Sequence, residues 1–578
     1  MHDAGGSRWE LVTLSYTDQA EALLWHLQHV PFRADLAAAR PEACDNELWA
    51  GIVREAAQFA EGVLDPLGHE LDRNGARRID GRVVTAPVHH AAWQQFRELG
   101  WMTMVAREPV GQGLPLALLG ACEELFNRAS AAFYMLPTAT RTAATLIDQI
   151  APGPVRDDWV PRLLAGEWAA TICISEPDAG SDVGRIRTQA RRDGDGWTVT
   201  GEKCWISFGD HDLAARIGHM ALARSNTTPG VKGLSLFLIP SIRDDGVPNG
   251  VSARRIEEKL GLHGSPTCQM GFDGAEAILL GEEGRGLQSL FPMMLQMRLA
   301  CGPQGTGVAT AAYATALAYA QDRRQGGTAD AAPVPIATHV DVQRQLLDMA
   351  ASVELNRALH LTAANALDLA EAAADPGRRA HWMELAQFLL PLVKDGGAWA
   401  ACDVASKAIQ VLGGAGYTQA WPVERHLRDA RVFPIFEGTS GIQAIDLLHR
   451  RLWREGTPGL SAFVAAVRAD ALGNAALTGA LDQLEAVVRV MKDWKSSPRR
   501  AEAGASALLD LCKAVALGWM AARIVARAGT DPVSLGIRAA AAYCLAELEP
   551  RCVCLAQLAL LGEERLDGVA ALTTSSAR

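Results

Sequence analysis

The chain has 578 residues, 49% of them hydrophobic and 21% charged, a globular balance spread over a length that calls for three or four domains rather than one core. A formal net charge of −11 and a pI near 5.7 disfavour a broad nucleic-acid surface, which needs a basic face. No apolar run reaches about 18 residues without charge, so a membrane-spanning helix is not expected.

Residues 1–45 read as an N-terminal extension, and the opening MHDAGGSRWE lacks the apolar core of a secretory signal. Over 46–66, Leu48, Trp49, Ile52, Val53, Ala56, Phe59, Ala60 and Val63 recur at helical spacing. They open a helical domain expected over 46–165, with loops at DRNGARRIDGRV (72–83) and VGQGLP (110–115). Near residue 168 the texture changes. TICISE (171–176), GWTVTG (196–201), KCWISF (203–208), HMALAR (219–224) and GLSLFLIP (233–240) are short β-rich runs between turn residues. That spacing predicts a small antiparallel barrel or sandwich over 166–283. Helical patterns return over 284–455. A further helical domain is expected over 456–578, where Leu481, Leu484, Val487, Val488 and Met491 form one stripe. The fold class is therefore α+β. Lys492, Lys495, Arg499 and Arg500 make a local basic cluster, read as a solvated loop between helices. Eleven cysteines lie scattered from Cys44 to Cys554, with only Cys552 and Cys554 close together. That pattern predicts reduced thiols in a cytoplasm and no metal site.

Three segments carry chemistry. In ICISEPDAGSD (172–182) a strand ends, Pro177 stops it, and small residues let backbone N–H groups approach an anion or carbonyl. An ordinary strand-end turn reads the same way. In GEKCWISFGDHD (201–212), Trp205 suits either core filling or a wall for a planar ring. Ser207 falls on the same strand face as Trp205. In VLGGAGYTQAWPVERHLRDARVFPIFEGTSGIQ (411–443), Gly413, Gly414 and Gly416 permit close backbone approach, but no G-x-G-x-x-G fingerprint is present. Glu437 follows Phe433, Pro434, Ile435 and Phe436. It reads equally as a desolvated base or as a helix-start carboxylate.

Together these segments resemble the acyl-CoA dehydrogenase family, in its usual order, over about residues 46–455. ICISEPDAGSD resembles the family's flavin-binding signature and FEGTSGIQ its catalytic-base signature. EEKLGLHGSPTCQMGFDG (257–274) resembles the close of its β domain, and AYAQDRRQGG (318–327) its arginine motif. The added termini, with GWMTM (100–104), FGDHDL (208–213), VKGLSLFLIP (231–240) and GLHGSPTC (261–268), are similar to a long subgroup that includes the 3-methylmercaptopropionyl-CoA dehydrogenases.

The resemblance implies FAD-dependent α,β-dehydrogenation of an acyl-CoA thioester, of a short thioether or a short to medium acyl chain. Glu437 would take the α-proton, flavin N5 the β-hydride, and an electron-transfer flavoprotein the electrons. Ile174 and Ser175 would meet the flavin's pyrimidine edge, Gly180 and Ser181 the pyrophosphate, and Trp205 and Ser207 the ring. Arg323 and Gln325 would serve the FAD of a neighbouring subunit, with Gln410 and Gly414 toward its adenosine, so a homodimer is expected. Thr439 would touch the flavin from the base's own loop. Gly326 stands where the family often has Phe, and the loop 326–343 looks long. Phe436 stands where some relatives carry Tyr. Met297 occupies the position where certain members place their base. Two alternatives keep the fold: a flavin monooxygenase or oxidase, and a DNA-binding damage-response flavoprotein. The retained Glu437 opposes the first and the acidic charge the second.

Overall fold

The computed structural model of the chain describes residues 14–29, 31–471, 473–569 and 572. Its helices are α1 (Tyr16–His29), α2 (Arg33–Ala39), α3 (Asn46–Phe59), α4 (Leu67–Asn74), α5 (Pro87–Glu98), α6 (Leu116–Ile150), α7 (Gly153–Leu164), α8 (Gly286–Asp322), α9 (Val340–Ala372), α10 (Pro376–Leu412), α11 (Val423–Ala430), α12 (Ser440–Asp446), α13 (Pro458–Asp470), α14 (Ala475–Asp493), α15 (Pro498–Arg527) and α16 (Pro532–Ala559). Its strands are β1 (Arg77–Ile79), β2 (Arg82–Val84), β3 (Trp168–Cys173), β4 (Gln189–Asp193), β5 (Gly196–Ser207), β6 (Arg216–Arg224), β7 (Leu234–Pro240), β8 (Val251–Ile256) and β9 (Thr267–Leu280). The chain divides into two compact units. One gathers 1–57, 116–124 and 301–578, and the other 58–115 and 125–300.

In the second unit, β3 to β9 form one sheet in the order β3-β6-β4-β5-β9-β7, with β8 on β9 and a further β6–β7 pairing that closes the ring. Pairing is antiparallel except that β3 and the end of β4 run parallel to β6, whose pairing with β7 is antiparallel. The barrel expected as antiparallel thus carries two parallel pairings, both on β6. Ala221, Ala223, Phe237, Ile239, Trp197, Met270 and Phe272 fill the interior. Met220, Leu222, Leu234, Leu236 and Leu238 pack outward with Ile147, Trp159 and Leu163 of the helices. β6 and β7 are therefore dry on both faces, which leaves both largely apolar in sequence, β6 apart from Arg216, His219 and Arg224. GWTVTG and KCWISF, expected as two runs, are one strand, β5. The segment 72–83, expected as a loop, holds the β1–β2 hairpin, with Ile79 paired to Arg82. Asp80 and Gly81 both have left-handed backbone, φ 48 and 86, the two-residue turn that suits the twist of a hairpin. Helix α6 breaks at Ser130 (φ −158), whose Oγ accepts from Phe133 N at 3.3 Å and so starts the second segment.

The first unit is helical. α8 and α10 cross backbone to backbone: a Cβ on Gly305 would lie 2.0 Å from the Gly397 carbonyl oxygen. The described residues of both terminal extensions pack into this unit. Arg523 Nε of α15 donates to the His29 carbonyl at 2.9 Å, and Phe32 meets Trp382 edge-on at 4.8 Å. A buried polar cluster lies among α1, α6, α8 and α9. Arg357 donates to Glu124 at 2.6 Å and pairs with Glu354 at 2.7 Å; Gln19 and His360 bond Glu124 at 2.8 and 3.1 Å, and His26 bonds Glu354 at 2.8 Å. Burial alone would raise the Glu124 carboxyl, but Arg357 and His360 outweigh it and hold the pKa at about 2.

Candidate active site

β3 ends at Cys173 and the chain turns: Glu176 and Ala179 exchange backbone hydrogen bonds of 3.0 Å across Pro177 and Asp178. The Glu176 carboxylate anchors this turn. It accepts from Lys203 Nζ at 2.8 Å, Thr188 Oγ1 at 2.6 Å, and the backbone N of Arg187 and Thr188 at 2.7 and 3.1 Å. Burial raises the Glu176 pKa, yet the Lys203 charge and these donors win and hold it below the usual carboxylate range. Lys203, fully buried on β5, also donates to the Ile174 carbonyl at 3.0 Å. Cys204 N donates to the Ser175 carbonyl at 2.9 Å. Ile174 and Ser175 are thus stitched to β5, while Gly180 and Ser181 stand exposed beyond the turn. Nothing lies within 4 Å of where a Gly180 Cβ would be.

Trp205 sits where the β5–β9 register slips between Lys203 and Ile206. An extra residue on one strand re-aims its side chains. Trp205 has left-handed backbone (φ 61) and is 59% exposed, between buried Cys204 and Ile206. Core filling is excluded for it. Ser207, half-buried, follows on the same alternation.

The Glu437 loop lies in the helical unit, between α11 and α12. Phe433 is buried and stacks on Phe436 at 5.6 Å. Glu437 is half-buried with left-handed backbone, φ 51, followed by Gly438 at φ 88. A non-glycine residue in that region carries strain that its surroundings must sustain. Gln443 Nε2 donates to the Glu437 and Gly438 carbonyls at 3.0 and 3.1 Å, and Lys394 Nζ of α10 to the Gly438 carbonyl at 2.8 Å. Thr439 caps α12, its Oγ1 accepting from Ile442 N at 3.3 Å. The helix-start reading therefore belongs to Thr439, and Glu437 stands ahead of it on the strained turn.

Arg323 and Gln325 are exposed after α8. Gln325 N donates to Val334 O at 2.9 Å and Ile336 N to Arg323 O at 2.8 Å, so this loop closes as a short ladder, and α9 begins at Val340 within the stretch expected as loop. Gly326 has φ 75, and a Cβ there would lie 2.8 Å from the His339 ring, a local reason for glycine at that position. Gln410 and Gly414 are exposed at the end of α10. Gly413 needs its positive φ of 62, and a Cβ on Gly416 would lie 2.8 Å from the Ile409 carbonyl, whereas Gly414 faces open space. Met297 accepts from Thr142 Oγ1 at 3.3 Å. Glu424 pairs with Arg428 at 2.7 Å. In the basic cluster Arg499 pairs with Glu563 at 2.9 Å, Arg500 lies 4.6 Å over the Trp494 ring, Lys495 reaches the Trp453 carbonyl at 3.0 Å, and Lys492 Thr457 Oγ1 at 3.3 Å.

Sequence reasoning missed Lys203, Lys394 and Gln443. The available signal was a lysine inside an apolar run, as in FLLPLVKDGG, since lysine is almost never fully buried without a partner.

Among the described residues, no helix is long and apolar enough to cross a membrane. Three family models match in chain order: the acyl-CoA dehydrogenase N-terminal domain over 50–167, the middle domain over 171–275 and the C-terminal domain over 284–452. The chain is 36% identical over 496 residues to the 3-methylmercaptopropionyl-CoA dehydrogenase of Ruegeria pomeroyi, covering 81% of this chain and 83% of that one. It is 34% identical to a broad-specificity linear acyl-CoA dehydrogenase of Mycobacterium tuberculosis, covering 70% of each. In fold it is similar to ACDH-11 of Caenorhabditis elegans in complex with C11-CoA, with a TM-score of 0.78, 20% identity, and 99% and 98% of the two chains covered. It is likewise similar to an acyl-CoA dehydrogenase of Bacillus anthracis complexed with FAD, with a TM-score of 0.75, 20% identity, and 90% and 89% covered. With all three domain models in place and that identity over most of its length, the chain belongs to the acyl-CoA dehydrogenase family.

Proposed function

We propose that the chain dehydrogenates an acyl-CoA thioester between its α and β carbons, with Glu437 as the base. The observation that carries this is Glu437 itself: a carboxylate on left-handed backbone, with its own carbonyl and the next one bonded by Gln443. Such strain is kept where a side chain must be aimed. The α-proton of a thioester is weakly acidic, so a carboxylate needs fixed alignment and a donor to the developing enolate oxygen. One such donor is worth about 3–4 kcal/mol in the transition state.

FAD fits the residues present. The Gly180 and Gly414 positions leave room that a side chain would fill, and the Trp205 ring is presented outward. Ile174, Ser175, Gly180, Ser181, Trp205, Ser207 and Thr439 would hold it, with Arg323 and Gln325 serving the copy in a second subunit of a homodimer and Gln410 and Gly414 toward the adenosine of that copy. When bound, FAD supplies the acceptor for the β-hydride. The work of the chain is to align the substrate's two C–H bonds and to receive the α-proton at the Glu437 carboxylate.

The relatives support a thioether or a linear acyl group as substrate; a short to medium chain, and an electron-transfer flavoprotein as the electron acceptor, are what the family resemblance implies. Eleven free cysteines, nine of them buried, fit a reducing cytoplasm. The test is anaerobic mixing of the purified yellow protein with a panel of acyl-CoA thioesters that includes 3-methylmercaptopropionyl-CoA. Bleaching of the flavin by at least one of them is expected. A colourless protein that FAD does not reconstitute, or a flavoprotein that no thioester bleaches, overturns the proposal.

A further inference from the structure

We infer that Lys394 is a positioning residue for Glu437, an inference that rests on the reading of Glu437 as the base. Lys394 lies on α10 between buried Val393 and buried Asp395, and its own side chain is fully buried. Its ammonium donates to the Gly438 carbonyl at 2.8 Å, 44 residues further along the chain. A buried ammonium is costly unless its hydrogen bonds are satisfied. Here it grips the peptide that follows Glu437.

The geometry explains what that grip does. Glu437 and Gly438 are both left-handed, at φ 51 and 88. Left alone, a non-glycine residue relaxes toward right-handed or extended backbone. Relaxation would rotate the peptide units on either side of the Glu437 Cα and swing its carboxylate. Two donors oppose this from two elements: Gln443 from α12 and Lys394 from α10. A Cβ on Gly438 would lie 2.9 Å from Gln443 Nε2, so the amide also closes down on the turn. Gln443 belongs to the 7-residue helix that directly follows the turn. Lys394 ties the turn to α10, a 37-residue helix distant from it in the chain. Lys394 thereby sets the direction of the Glu437 side chain without touching substrate.

The test uses the FAD-loaded protein and compares Lys394→Met, Gln443→Leu and Glu437→Gln with the unaltered chain. Three quantities are read: FAD content, dissociation constant for the enoyl-CoA product, and anaerobic flavin reduction at saturating acyl-CoA, with and without deuterium at the α-carbon. Lys394→Met should keep FAD, bind product within about threefold, and lose about tenfold to a hundredfold in reduction rate. Its α-deuterium effect should rise, because a misaimed base makes proton abstraction more rate-limiting; a merely structural lysine would not move that effect. Reduction within about threefold of normal and an unchanged isotope effect overturn the inference. If Lys394→Met does not fold, Lys394→Gln decides by the same criteria, since its shorter side chain keeps a polar head on α10 while withdrawing the ammonium from the Gly438 carbonyl. If Glu437→Gln is inactive while both other variants reduce normally, positioning fails and the base stands. If Glu437→Gln itself reduces normally, both fail.

Discussion

Lys513 of the appended helix α15 pairs with Asp395, the residue next to Lys394 on α10, and the Asp395 side chain is only 2% exposed. The C-terminal extension therefore reaches the turn of α10 whose Lys394 bonds the Glu437 loop. Replacing Lys513 by Met leaves a buried carboxylate without its main cation, a change that costs about 3–5 kcal/mol. Urea unfolding should show this loss, and Asp395→Asn in the same chain should restore at least half. Unchanged midpoints in the single variant would mean the pair contributes nothing.

Glu176 and Lys203 carry no proton of the reaction in this account; they shape the turn before Gly180. Glu176→Gln removes the charge that four donors converge on. It should weaken FAD binding about tenfold or more, since a charge-assisted buried bond is worth about 1.5–3 kcal/mol. The flavin that remains bound should still be bleached by substrate. Full FAD occupancy with lost bleaching would place Glu176 in the chemistry instead.

Acid should weaken the barrel unit through three histidines. Burial keeps His89, His211 and His219 neutral, with pKa values pulled down to about 3, 4 and 4. In the unfolded chain each takes its proton near about 6.5. Between those values the unfolded state binds protons the folded state refuses, so stability falls as pH falls. The contribution is fully present above about pH 7 and declines through 6.5 toward 4, by up to about 4 kcal/mol per pH unit for three groups. His89 packs between Phe133 and Phe208, at 5.1 and 5.8 Å, so His89→Phe is a suitable replacement. It should remove about a third of the slope measured by urea titrations across that range. An unaltered slope would show that His89 titrates normally.

The backbone crossing of α8 and α10 has no room for a methyl group. Gly305→Ala should cost about 1–3 kcal/mol or more, because its Cβ meets the Gly397 carbonyl. Gly51, on α3 with nothing within 4 Å, is the control. Gly51→Ala should stabilise by about 0.5–1 kcal/mol, the helix propensity difference alone. Equal effects at the two sites would contradict the close crossing.

What the sequence made legible follows from burial. β6 and β7 are dry on both faces and stood out as apolar runs, while β4 buries only Ala190 and left no alternation to read. The β1–β2 hairpin was missed although Asp80-Gly81 is a strong turn signal, because half of the residues in its two short strands are arginines. The reading of Glu437 as a base came only through the resemblance; its local context allowed a helix-start carboxylate equally well. The structure gives that start to Thr439. Lys394 and Gln443 were not legible as supports, since their partners are backbone carbonyls, which leave no trace in side-chain pattern. The packing of residue 32 against Trp382 and Trp519 likewise joins the two extensions by tertiary contact alone.

Glu437→Gln tests the central claim most directly. Glutamine keeps the size and hydrogen-bonding reach of glutamate and removes the basic lone pair. The variant should bind FAD and acyl-CoA as the unaltered protein does. Its anaerobic flavin reduction, followed by rapid-mixing absorbance near the flavin maximum, should fall by more than the factor of about 10²–10⁴ usual for a general base, because no other group takes the α-proton. Rapid mixing isolates this half-reaction from reoxidation. Bleaching in Glu437→Gln at a rate near that of the unaltered protein would contradict the account, and would place the base elsewhere or the chemistry outside α,β-dehydrogenation.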